Sequence, residues 1–164
     1  MKTPTTFTRT LLQTADAELD RIIGQLFPEQ RAKAIYYQTF SFACLALIWG
    51  FVGLFGEVVN TWDLLAVSLS SGLFAAAAYL SVMCLTGGQG NTAPITNYVN
   101  YQQFCERAFE TEWEANSDLL LCYDKAISQA KAVLVKRGQQ LRLINRLVLF
   151  GVLAFCLSLT MMVL

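Results

Sequence analysis

Apolar positions gather into three long runs, 39–59, Leu64–Thr86 and 147–164, and the chain between them mixes apolar with charged residues. Each run is close to the ~20 residues an α-helix needs to cross a bilayer. The second carries no charge from Leu64 to Leu85, and the third reaches the last residue. The pattern predicts an all-α integral membrane protein, with three transmembrane helices and amphipathic cytosolic helices. Expected divisions are a cytosolic amphipathic helix and lead-in (1–35), spans over 36–59 and 63–86, a cytosolic helical hairpin (87–143) and a third span (144–164). The first run begins well inside the chain, behind a charged segment, and reads as a retained signal anchor.

The flanking segments have helical periodicity. Leu12, Ala15, Leu19, Ile22 and Leu26 lie alternately three and four apart, which forms one apolar seam. Thr5 or Thr6 is placed to cap that helix. Phe27-Pro28 is expected to end it, because proline disfavours helix in the residue before it. Pro28 then suits the first turn of a new helix leading into the first span. After the second span, Gly87, Gly88, Gly90 and Pro94 mark a stop and exit loop. Helix is expected to restart at Thr96 or Asn97, with Tyr101, Phe104, Cys105 and Ala108 in helical spacing. Asn116-Ser117-Asp118 reads as a fresh cap or a kink. A second seam follows through Leu119, Tyr123, Ala126, Ala130 and Val133. With no proline beyond, this helix is expected to run into the third span over roughly 70 Å, with Gly138 as a soft spot. The simplest arrangement packs the two seams on each other. The alternative turns Leu12, Leu19, Ile22, Leu26, Leu119, Tyr123, Ala130 and Val133 toward another copy or a cytosolic protein.

Small residues repeat within the runs. Gly50, Gly53 and Gly56 recur every third position, and Ser68, Gly72 and Ala76 every fourth. Gly151, Ala154 and Ser158 follow in the third run. Such residues let membrane helices approach closely. They are candidates for packing in the hairpin of the first two spans and for a homo-oligomer seam.

Charge sets an expected orientation. The Asn60-Thr61-Trp62 turn has no Lys or Arg, and all 12 basic residues lie in the other two segments. The positive-inside rule places those segments in the cytosol, and the turn and Leu164 outside. The lack of an Arg- and Ser-rich transit segment favours a bacterial inner membrane. Tyr36, Tyr37 and Trp62 suit interfacial positions. The 12 basic and 12 acidic residues cancel, so no net field recruits nucleic acid.

Catalytic chemistry finds little support. There is no histidine, which removes Ser-His-Asp and Cys-His nucleophiles and His-based zinc sites. Five cysteines (Cys44, Cys84, Cys105, Cys122, Cys156) form no C-x-x-C pair. The acidic cluster Glu106, Glu110, Glu112, Glu114 and Asp118 reads as a solvated helix face before it reads as a cation site. The glycine-rich loop lacks a following Gly-Lys-Ser/Thr and so lacks a phosphate cradle. Glu57 and Asp63 lie at the outer edge and Arg146 at the inner edge, so no ionisable group marks mid-membrane. Asn145 is the polar residue placed to bond across helices. Ser68, Ser70, Ser71, Ser81, Ser158 and Thr160 are candidates for lining a narrow pore in an oligomer, although such hydroxyls commonly bond back to their own helix. No enzyme, cofactor or metal is expected.

The layout of cytosolic helix, tight membrane hairpin at Asn60–Trp62 and further cytosolic helices resembles the two-transmembrane SLATT-type effectors of bacterial nucleotide-signalling defence systems. This chain adds a third span to that pattern. The layout is similar also to small accessory inner-membrane proteins of conjugation or secretion machines. The expected function is a non-enzymatic membrane subunit that oligomerises or anchors a complex and docks a partner through its cytosolic helices. The alternative is a triggered, pore-forming effector that depolarises the membrane.

Overall fold

The computed structural model describes residues 4–55, 61–86 and 112–163, and all of them are helical. Helix α1 is Pro4–Arg21, and a π turn over Ile22–Leu26 joins it to α2, Phe27–Phe55. Helix α3 is Thr61–Thr86 and α4 is Glu112–Val163. Three of these helices are long and apolar enough to cross a membrane. The chain forms two compact units. The first takes Met1–Glu29 with Gly88–Lys136, and the second takes Gln30–Gly87 with Arg137–Leu164.

In the first unit, α1 packs on the early part of α4. Ile22, Phe27 and Ala130 are buried together, flanked by Leu26, Ile127, Val133 and Leu134. The Tyr123 hydroxyl donates to Asp16 at 2.9 Å, and Lys131 pairs with Glu18 at 3.1 Å. Contacts advance from Asp16 to Phe27 as they advance from Tyr123 to Leu134, so the two helices run parallel. The π turn sets which side chains reach this core. The Phe27 N–H donates to the Ile22 carbonyl, five residues back. On an ideal α-helix, positions five apart point about 140° away from each other. The wider turn brings Ile22 and Phe27 to the same side. It also absorbs Pro28, which has no N–H to give and whose ring would strike the Gly24 carbonyl in an unbroken α-helix.

The second unit is a three-helix bundle. Its core holds Ala34 and Ile48 of α2, Val67, Phe74, Ala77 and Cys84 of α3, and Leu141, Ile144 and Val148 of α4. Fully buried serines continue these stripes, giving Ala34, Ser41, Ile48 on α2 and Val67, Ser70, Phe74, Ala77, Ser81, Cys84 on α3. Spacings of three, four and seven keep each stripe on one side of its helix. Register follows from cross-helix contacts. Tyr37 meets Asn145, and Gln30 lies 3.9 Å from where a Cβ on Gly138 would stand, so α2 and α4 run parallel at a constant offset. Ser70 and Phe74 meet Gly151, while Arg137 lies near enough to Cys84 for its charge to act there, so α3 and α4 run antiparallel.

Several local expectations change. Helix α1 starts at Pro4, so Thr5 and Thr6 are helical residues and not caps. Phe27-Pro28 does not end the helix, because the π turn accommodates the proline. Asn116-Ser117-Asp118 lies inside α4 without a break, and α4 continues through Gly138 into the third apolar run. Thr61 and Trp62 already belong to α3. Gly56, Glu57, Asn60, the glycine-rich loop, the expected restart at Thr96 or Asn97, Cys105, Glu106 and Glu110 lie outside the described residues.

Candidate functional site

The distinctive chemistry of the second unit is a bundle interior that carries hydroxyls. Ser41, Ser70, Ser81 and Ser158 are fully buried and Ser71 nearly so. Ser70 Oγ donates to the Gly151 carbonyl at 2.8 Å, tying α3 to α4. Ser81 and Ser158 donate to carbonyls of their own helices, Ala77 and Phe155. Exposed Thr160 does the same to Leu157. Ser41 Oγ and Ser71 Oγ are buried and have no hydrogen-bond partner among the described residues. Ser70, Ser81 and Ser158 are therefore used inside one chain, whereas Ser68 is exposed.

Gly151 leaves room for a side chain of α3. A Cβ there would stand 3.1–3.3 Å from three ring carbons of Phe74, itself 1% exposed. Ser158 is buried on the same helix and Ala154 is half-buried. The other small residues lie elsewhere. Gly50 and Gly53 on α2, and Ser68, Gly72 and Ala76 on α3, are all exposed. A Cβ on Gly50, Gly53 or Gly72 would meet nothing within 4 Å. The hairpin helices thus use a different face of α3 from the Ser68–Gly72–Ala76 stripe.

Toward the start of the apolar run in α4, the Tyr37 hydroxyl donates to Asn145 Oδ1 at 3.1 Å. Tyr36 packs edge-on to Tyr37 and stacks on Phe40. Arg31, Lys33, Arg142 and Arg146 are exposed nearby, and Arg142 Nε donates to the Gly138 carbonyl at 3.4 Å.

In the first unit the seam residues turn toward each other. Leu19, Ile22 and Ala130 are buried, and Leu12, Leu26, Leu119, Tyr123 and Val133 are half-buried. Tyr123 holds its proton up to about 12, through burial first and then through its bond to Asp16 and the nearby negative charges of Asp16 and Asp20. Among the described residues, no three His, Cys, Asp or Glu side chains converge on a metal position. Cys44, Cys84, Cys122 and Cys156 form no disulfide.

Sequence reasoning missed Phe74, Tyr37 and the Ser41 stripe as packing determinants. Their helices are apolar on most sides, so periodicity could not select a buried face. The seven-residue spacing of Ala34, Ser41 and Ile48 was the available signal. Comparison with protein-family patterns, curated proteins and solved structures finds no match for this chain.

Proposed function

We propose that this protein is a non-enzymatic, multi-pass subunit of the bacterial inner membrane. Its second unit is the membrane anchor, and its first unit is a cytosolic helical module that docks a partner protein. The observation that carries this reading is the inside-out distribution of side chains in the second unit. Ser41, Ser70, Ser71, Ser81 and Ser158 are buried, while Phe42, Leu47, Trp49, Leu54, Leu69, Leu149, Phe150, Leu153 and Leu157 are exposed. So large an apolar exterior is at odds with water and suits lipid. The positive-inside rule puts the basic segments in the cytosol and the C-terminus outside.

The docking face differs from the seams. Leu19, Ile22 and Ala130 are consumed within the first unit, which leaves Leu121 and Val135 exposed on one side of α4, fourteen residues apart. The exposed Gly50–Gly53 and Ser68–Gly72–Ala76 faces suit contact with another copy or a neighbouring membrane helix. Leu121→Glu with Val135→Glu should shrink the complex extracted from native membranes and leave insertion intact. An unchanged complex rejects docking through this face.

The pore alternative draws on Ser41 and Ser71, whose buried hydroxyls await a polar companion. Dye measurement of membrane potential on induced expression separates the two readings. An unchanged potential at verified insertion is expected for the anchoring subunit. Rapid depolarisation that Ser41→Leu abolishes supports the pore.

A further inference from the structure

Register places two unlike surfaces of the second unit at one level. Nine residues back along α4 from Gly151 is Arg142, and nine residues forward along α3 from Ser70 and Phe74 are Tyr79 and Met83. On α2, the offset set by Tyr37 and Asn145 puts Arg142 level with Ala34, between Arg31 and Tyr37. The last two turns of α3 therefore stand level with the cationic stretches of α2 and α4, although all of Leu64–Thr86 reads as one apolar run. In those turns Tyr79, Val82 and Met83 are exposed. At the same level Arg31, Arg142 and Arg146 are exposed. Among the described residues of Gln30–Gly87 and Arg137–Leu164 the one carboxylate is Asp63, in the first turn of α3 and so at the far end, while Glu29 of α2 lies two residues before Arg31.

Water suits the guanidinium groups and not Val82 and Met83, while hydrocarbon suits the reverse. The headgroup zone of a bilayer suits both, provided that it supplies negative charge. We propose that this rim binds anionic phospholipid. Phosphate oxygens of lipids around the rim would lie on Arg31, Arg142 and Arg146, with glycerol and upper acyl carbons at the level where Tyr79, Val82 and Met83 are exposed. The guanidinium fork matches phosphate oxygens in pairs, and each cation at a membrane surface adds about fivefold to the preference for anionic lipid. The inference rests on the reading of this unit as membrane-embedded.

The test uses the full chain purified in a neutral detergent. Phosphatidylglycerol or phosphatidylcholine is added, and the lipid retained is counted by native mass spectrometry beside the melting midpoint. Phosphatidylglycerol is expected to be retained preferentially and to raise the midpoint more. Arg31→Gln with Arg142→Gln and Arg146→Gln should erase that preference while the midpoint in phosphatidylcholine stays that of the wild type. If the triple variant does not fold, the corresponding Arg→Lys variant, which keeps the charge, must retain a preference reduced by the loss of paired contacts. Equal retention of both lipids by the wild type overturns the proposal. So does a preference that survives the Gln substitutions, or a midpoint shift of the same size with inorganic phosphate alone. A chain that inserts but shows no lipid preference sinks this inference only, whereas a chain absent from the membrane fraction sinks the membrane reading as well.

Discussion

Two residues in contact fit α3 against α4 in the second unit. Gly151 leaves room for the Phe74 ring, and Ser70 bonds the Gly151 carbonyl beside it. Gly151→Ala forces a buried ring to move and should cost about 1–3 kcal/mol. Gly72→Ala adds a methyl where nothing lies within 4 Å and should change stability by less than about 0.5 kcal/mol. Denaturation in graded SDS compares the two. Ser70→Ala removes one interhelical bond, for which membrane proteins average about 0.6 kcal/mol. Tyr123 titrates differently. Burial and the bond to Asp16 raise its folded pKa from the ordinary 10 to about 12. The folded state therefore holds the proton more tightly than the unfolded chain. That contribution is complete below pH 10 and is lost as pH rises toward 12. Melting midpoints of the wild type should fall more steeply over that window than those of Tyr123→Phe.

At the scale of elements, the π turn is the least expected feature. Ordinary helical spacing makes Ile22 and Leu26 seam partners and leaves Phe27 off the seam. The five-residue turn buries Ile22 and Phe27, with Leu26 half-buried. Neighbours then separate sharply, since Ile22 is 1% exposed and Ile23 is 41% exposed. Ile22→Ala should cost about 2–5 kcal/mol, and Ile23→Ala within about 0.5 kcal/mol. Comparable losses in a thermal melt would mean that the turn is in another register. The seam itself was legible because α1 alternates apolar with charged positions. In α2 and α3 most positions past Tyr36 are apolar and only Asp63 is charged, so no side stood out, and the small-residue stripe Ser68–Gly72–Ala76 lies on the exposed side.

For the whole molecule, the division into units separates two kinds of interior. The first unit closes on Ile22, Phe27 and Ala130, with charged pairs such as Lys131–Glu18 outside it. Exposed pairs of this kind add little stability, so apolar contact carries that unit. The second unit buries Ser41, Ser70, Ser71, Ser81 and Ser158 beside its apolar core and turns Trp49, Leu54, Leu69 and Leu157 outward. If it is a membrane anchor with cytosolic basic flanks, a cysteine placed at Trp62 in a cysteine-free background should react with an impermeant reagent from outside. One at Lys136 should react only after the inner membrane is opened. The reverse labelling pattern would invert the orientation.

The sequence by itself determined the helical class, the number of apolar runs and the absence of histidine chemistry. Those follow from composition and run length, which need no neighbour to define them. It also marked the seam of α1, because charges fall on its other side. Only the tertiary structure decided which face of each apolar helix is inside, that Gly151 and not Gly72 meets a neighbour, and that Ser41, Ser70 and Ser71 are each buried. It alone set the last turns of α3 level with Arg31 and Arg142. In a helix apolar on every side, local hydrophobicity does not distinguish core from lipid. The choice falls to shape, to a glycine that admits a ring and a hydroxyl that reaches a carbonyl, and these exist only once the helices have met.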